Sequence, residues 1–348
     1  MSAPIALEGA DVPSFGDLLQ AALSISATTA RPFLLHTIRA RGAARSGLRP
    51  EHTALVRAAA LACGAKVGGA FDGSPELRFE PGPELGGSFH FELPESMPVA
   101  QVLECLTPVL AAGGSAGELE LVGPTHLQAA ATPEFLSHVW LPLLERCGLQ
   151  AELALERASF APAGRGNVRL RTRSWQREGP MLQLEVRGAL LGLHVISCVG
   201  RLGRELAERQ AEGFRAWLWE QRRLEASCEI RELKAVSPGA CLLAEARFEG
   251  GAAGFPMLAE KAVPPEGLGE RLARRLLRFL EEQTAVLDPL SAERAAVPLA
   301  LSGRGARFTT SEITSRLEVA CATLRQFDVR AETWGRPGGP GGCEIGAC

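Results

Sequence analysis

The chain has 348 residues, 46% of them hydrophobic, enough for a sizeable core in one large or two modest domains. A net charge of −3 excludes a surface built chiefly to neutralise nucleic-acid phosphates, so any RNA site must be a local patch. Nine cysteines with no CxxC spacing read as the free thiols of a reduced, cytoplasmic protein, and no apolar run reaches membrane-spanning length.

Leu18, Leu19, Ala22 and Leu23 predict a first helix, with the strand FLLHTIR after it. His52, Leu55, Val56, Ala59 and Cys63 mark a second helix, entered at Pro50 and followed by the strand ELRFEPG. SFHFEL alternates as a strand does. Val99, Val102, Leu103, Leu106 and Leu110 predict a third helix before the strand ELELVG. Phe135, Val139 and Leu143 belong to a fourth, ending at Gly148. In NVRLRTR, Val168, Leu170 and Thr172 share one face and Arg169, Arg171 and Arg173 the other.

The pattern changes near residue 178. The strand GPMLQLEVRG leads to a long helix near 201–222, then to ASCEIREL, CLLAEARFEG and FPMLAEKAV. A helix at 266–284 carries Leu272, Leu276, Leu277 and Leu280 on one face. Residues 285–333 return to the first style, and the Gly/Pro-rich tail GRPGGPGGCEIGAC reads as disordered. The predicted fold class is α+β, with helices on one face of each sheet. A large domain covers 1–177 plus 284–335, an inserted αβ domain covers 178–283, and a disordered tail covers 336–348.

No GxxxxGK[ST] loop, HExxH or GxSxG occurs. None of the six histidines has an i,i+4 partner, so no metal site is expected. Arg39, Arg41, Arg45 and Arg49 cluster at a strand end, and Arg165, Arg169, Arg171 and Arg173 follow a Gly-rich turn. Each group reads either as an RNA phosphate track or as a salt-bridged, solvated edge.

Six phrases carry a resemblance: IALEGA, IRARGAARSGLRPEHTALVRAAALACGAKVGGA, LRFEPGPELGGSFHFEL, VGPTHLQAAATPEFLSHVWLPLLERCGL, SFAPAGRGNVRL and VPLALSGRGARFTT. In this order they resemble the RNA 3'-terminal phosphate cyclases. The resemblance implies a large domain of three repeated αβ units with a small inserted αβ domain. It also implies an ATP-dependent reaction. A histidine is adenylylated, AMP passes to an RNA 3'-phosphate, and the 2'-OH displaces AMP to leave a 2',3'-cyclic phosphate. That chemistry needs a nucleophile, a glycine-rich cradle, and carboxylate or amide groups around metal and ribose.

The departures fall on those needs. Where the family reads close to QGEGGGQ, this chain reads DVPSFGD, with Pro13, Ser14, Phe15 and Asp17 in altered positions. A second glycine-serine turn has become PESMP, Pro94 to Pro98. Glu312, or Ile313 one place along, stands at the family's catalytic histidine, and Ser315, Arg316 and Leu317 replace its Thr-Asn-Ile. Asp288, Glu293 and Arg294 fall near an acidic-Asp-Gln segment, with Arg294 in place of the glutamine and a surface role expected.

The resemblance thus leaves no catalytic residue. Its candidates for RNA or phosphate binding are Arg39, Arg45, Arg49, His52, Arg165, Arg169 and Arg171. Thr125 and His126 match a family Thr-His pair, for which a structural turn is favoured. The expected protein is a degenerate family member that binds an RNA 3' end or an RNA-processing protein and uses no cofactor. The alternative is an active cyclase with a displaced nucleophile, using ATP and Mg.

Overall fold

A computed structural model describes residues 3–10, 12–39, 46–83, 85–161 and 164–348. The first repeat runs β1 (Ile5–Glu8), α1 (Phe15–Thr29), β2 (Phe33–His36), α2 (Pro50–Cys63), β3 (Lys66–Gly68) and β4 (Leu77–Glu80). Its sheet order is β1-β2-β4-β3, with β1 and β2 parallel and the other pairings antiparallel. Local chemistry sets the ends of α2. Pro50 fixes φ where a first-turn N–H has no partner anyway, and Gly64 takes the left-handed cap at φ 61°. Alternation in β2 and β4 buries Phe33, Leu35, Leu77 and Phe79, and the two rings stack at 5.5 Å.

The second repeat runs β5 (Ser88–Glu92), α3 (Val99–Ala112), β6 (Gly117–Gly123), α4 (Pro133–Phe135), a π-turn (Leu136–Trp140), α5 (Leu141–Glu145), β7 (Ala151–Arg157) and β8 (Gly166–Thr172). Its order, β5-β6-β8-β7, reproduces the first: a parallel opening pair, then two antiparallel strands.

A third repeat opens with β9 (Leu182–Leu184) and is then interrupted. The interruption comprises β10 (Leu190–Gly200), α6 (Arg204–Arg222), β11 (Ser227–Leu233), β12 (Gly239–Phe248), β13 (Gly251–Leu258) and α7 (Pro265–Glu281). The repeat resumes with α8 (Pro289–Leu301), β14 (Ala306–Thr310), α9 (Ser315–Gln326), β15 (Ala331–Gly335) and β16 (Gly341–Ile345). Its order is β9-β14-β16-β15, again parallel then antiparallel. The α+β class with three repeats and an inserted unit is therefore the fold observed. The helices α1, α3 and α8 pack on one another at the centre of the three repeats.

The inserted strands form one sheet in the order β11-β10-β12-β13. One face packs on α6 and α7 through Phe214, Leu218, Phe255, Leu272, Leu276 and Phe279. The other face, with Ile196, Cys198, Cys241 and Leu243, joins the core of the repeats. No helix among the described residues is long and apolar enough to cross a membrane.

Two sequence expectations are corrected. The strand expected to open the insert at 178 belongs to the third repeat, because Leu182–Leu184 pairs with Ala306–Phe308. The expected disordered tail 336–348 contains β16, which lies between β14 and β15 with Cys343 and Ile345 buried.

Candidate functional site

The starts of α1, α8 and α9 converge with the middle of α3, and ion pairs fill the junction. Arg316 Nε lies 3.3 Å from Asp17 Oδ2 and its Nη1 3.5 Å from Glu293 Oε1. Arg294 donates to Glu104, and its Nη2 lies 3.8 Å from Glu293 Oε1. Gln20 Nε2 donates to Glu104 Oε2 at 3.3 Å, and Thr314 Oγ1 to Glu293 Oε2 at 2.9 Å. The Arg294 and Glu104 side chains are only 8% and 1% exposed, so the expected surface role of Arg294 is overturned. Three carboxylates face two guanidiniums. Burial pushes the Glu104 carboxyl up, against the pull of Arg294. The space left among these side chains is about 30 Å³. That is room for a water or two and far too little for a nucleotide.

The start of α1 is closed in a second way. Phe15 is buried, and its ring meets the His52 ring edge-on at 4.8 Å. A Cβ added to Gly9 would lie 3.1 Å from the same ring. Pro13 has no N–H to offer, and Ser14 Oγ donates to the Asp17 carboxylate. Asp17 sets a negative charge at the helix end where an anion would otherwise be favoured. His52 Nδ1 accepts the Arg49 N–H at 3.1 Å, and burial lowers the imidazole to about 4, so the ring is neutral. Across from it, the PESMP segment turns through the Met97 N–H to Pro94 carbonyl bond and buries Met97.

Glu312 lies outside this plug, exposed at the mouth of a cleft of about 480 Å³ between α7 and the third repeat. Arg275, Arg278, Glu282, Glu293 and Ser311 also line it. Arg275 spreads over the Phe255 ring at 5.4 Å and donates to the Pro256 carbonyl at 3.4 Å. Neither Arg278 nor Glu312 has an ion-pair partner among the described residues.

The sequence-selected arginines do not form one groove. Arg39 is buried, and its Nη1 donates to the Gly47 carbonyl at 3.1 Å. Arg45, like Arg41, lies outside the described residues. Arg49 Nη1 sits 3.7 Å from Glu51 Oε1. Arg165 pairs with Glu92 at 2.7 Å, and Arg171 with Glu118 at 3.3 Å. Arg169 lies 3.3 Å from Glu156 and 3.7 Å from Glu118. Arg169 and Arg171 thus join a cross-strand ladder of ion pairs on β6, β7 and β8. Thr125 and His126 are buried and hydrogen-bonded to each other at 2.8 Å, well inside the fold. Sequence reasoning missed Arg275 and Arg278, because a pair of arginines on an amphipathic helix carries no motif.

The junction, the plug and the cleft are built on three copies of one β-α-β-α-β-β unit. A sequence profile of the RNA 3'-terminal phosphate cyclase family matches residues 15–332. The chain belongs to this family. A relative from Ralstonia nicotianae named RNA 3'-terminal phosphate cyclase is 34% identical over 324 residues, covering 93% of this chain and 91% of its own. Relatives of the same name from Salmonella enteritidis and Methylococcus capsulatus are 33% and 32% identical. The first covers 94% of both chains, the second 90% of this chain and 88% of its own.

Arg294 and Arg316 thus sit beside Glu104, Glu293 and Asp17 in a largely buried ion-pair network that leaves about 30 Å³ of open space.

Proposed function

We propose that this cyclase-family protein does not adenylylate itself and instead holds a phosphate-bearing RNA 3' end in the cleft beside Glu312. The observation that carries this reading is the contrast between a 30 Å³ remnant at the junction and an open 480 Å³ cleft next to it. In that cleft Arg275 and Arg278, one helical turn apart, offer cationic donors to a phosphate. Glu312 offers an acceptor to a ribose hydroxyl. No ATP or Mg enters this reading, since Phe15, Asp17 and Arg294 stand in the way of both. A protein that brings RNA ends is the second partner class. Nine unbridged cysteines fit a reducing, cytoplasmic setting.

Two measurements test it. Incubation with α-labelled ATP should leave no label on the protein, in the wild type and in Glu312→His alike. Acid-labile, alkali-stable AMP on the wild type would instead support an active cyclase with a displaced nucleophile. RNA carrying a 3'-phosphate should bind better than the same RNA with a 3'-hydroxyl, and more weakly as salt rises. Arg278→Ala should remove a charged hydrogen bond worth roughly 1.5–3 kcal/mol, about a tenfold or greater loss. Equal binding of the two RNAs would refute the cleft assignment.

A further inference from the structure

The most enclosed reactive chemistry outside that cleft lies between the second repeat and the inserted sheet. His126 follows β6, Glu134 sits in the first turn of α4, and Cys241 is on β12. A ring nitrogen, a carboxylate oxygen and the sulfur of these three lie within 4.8 Å of one another. All three side chains are buried.

The histidine is fixed in place. Its backbone N–H donates to the Ser159 carbonyl at 3.0 Å, and its ring stacks on Phe160 with centroids 4.4 Å apart. The Thr125 hydroxyl donates to the Ser159 carbonyl at 3.0 Å, so its oxygen accepts from His126 Nδ1–H at 2.8 Å. Nε2 is thereby turned to Glu134, 3.1 and 3.3 Å from the two carboxylate oxygens. In this tautomer the Nε2 lone pair and the Glu134 carboxylate oxygens face each other as acceptors, an arrangement that a shared proton or a metal ion satisfies.

Cys241 decides between them. A histidine–carboxylate ion pair has no use for a third donor, yet the Cys241 sulfur converges on the same point. Cys198 stands directly opposite Cys241 in the β10–β12 register, on the same face and also buried. We propose that His126 Nε2, Glu134 and Cys241, with Cys198 as the fourth ligand, bind a zinc-class divalent cation that fastens the second repeat to the inserted sheet.

Nitrogen, oxygen and thiolate donors in a closed set suit zinc in a structural role. The Nδ1–H bond to Thr125 is the outer-shell contact that holds a ligating imidazole in its tautomer. Ligand bonds of about 2.0–2.3 Å give tetrahedral edges of roughly 3.5 Å. Nε2 already lies 3.1 and 3.3 Å from the Glu134 oxygens, while the Cys241 sulfur lies within 4.8 Å of both groups and Cys198 falls outside that set, so the two sulfurs must move closer. Side-chain rotation supplies that movement. Thiolate ligation requires the cysteines to give up their protons, so metal entry releases protons to solvent.

The test uses the full chain in a Cys228→Ser/Cys348→Ser background, which removes the two exposed thiols. After chelation and buffer exchange, titration with Co²⁺ should saturate at a single equivalent. It should give a thiolate-to-cobalt charge-transfer band, the visible bands of tetrahedral cobalt, and proton release. Zn²⁺ should displace the cobalt and raise the melting temperature, since it binds only the folded chain. Cys241→Ser and His126→Gln should lose both the spectrum and the zinc-dependent stabilisation, and Cys198→Ala should alter the visible bands. Should a variant fail to fold, the parent titration alone decides. Absence of Co²⁺ binding, cobalt bound without a thiolate band, or a band that survives in Cys241→Ser would overturn the assignment.

Discussion

Arg294 carries the sharpest stability prediction. Replacing it with glutamine strands Glu104, which is 1% exposed and has no other ion-pair partner among the described residues. Breaking a buried ion pair from one side costs about 3–5 kcal/mol, because the remaining charge is left without compensation. Arg294 Nε already lacks a partner, as does Glu104 Oε1, so the network is imperfect and the lower end applies, about 3 kcal/mol. For a chain of this size that is a fall in melting temperature of roughly 4 °C.

The loss should depend on pH with a definite sign. Burial raises Glu104 already, and without Arg294 it rises further. The folded variant then keeps a proton that the unfolded chain releases, so stability falls as pH climbs above the ordinary carboxylate value. Urea denaturation followed by tryptophan fluorescence at pH 5 and pH 8 should show the larger penalty at pH 8. Glu104→Gln/Arg294→Gln should recover much of the loss, with a coupling of about 0.5–3 kcal/mol. A penalty under about 1 kcal/mol, or a double variant no more stable than Arg294→Gln, would refute the reasoning.

Three further outcomes follow from the geometry. His52 is held neutral by burial at about 4, below its ordinary 6.5, so the unfolded chain takes up a proton that the folded one refuses. Stability should fall by on the order of 3 kcal/mol as pH drops from about 6.5 to about 4, and equal pH slopes for wild type and His52→Gln by urea titration would count against this. Truncation after Gly335 should aggregate or unfold rather than behave as loss of a loose tail, and amides of 342–345 should be among those protected in hydrogen exchange; a soluble, equally stable truncation would contradict the central strand. Arg169→Ala/Arg171→Ala should leave RNA affinity unchanged within error and cost only about 0.2–1 kcal/mol per exposed pair, whereas a marked loss of RNA binding in a filter assay would revive the phosphate-track reading.

The repeats were legible because their strands alternate and their helices carry apolar stripes, so period and order survive in the residues themselves. The last strand was not legible. GRPGGPGGCEIGAC has the composition of a flexible segment, yet a Cβ on Gly342 would come within 2.2 Å of the Trp334 ring and 2.5 Å of the Phe308 carbonyl. Its glycines serve close approach between strands, a use that composition cannot separate from looseness. The buried ion-pair network was not legible either, since Asp17, Glu104, Glu293, Arg294 and Arg316 come from four helices that only the fold brings together. The convergence of His126 with Glu134 and Cys241 escaped for the same reason: two lie on one repeat and the third on the insert.

The placement of β9 and β16 bears on how the chain can fold while it is being made. The first two sheets are each complete within a contiguous stretch and can close as soon as that stretch leaves the ribosome. The third cannot. Its opening strand must wait through the whole insert for β14, and its central strand β16 is made after both of its neighbours. Until β16 emerges, β14 and β15 present unpaired edges, open to pairing with another chain. The three structurally equivalent units are therefore unequal in time, and the interval before β16 emerges is when this protein is most exposed to aggregation.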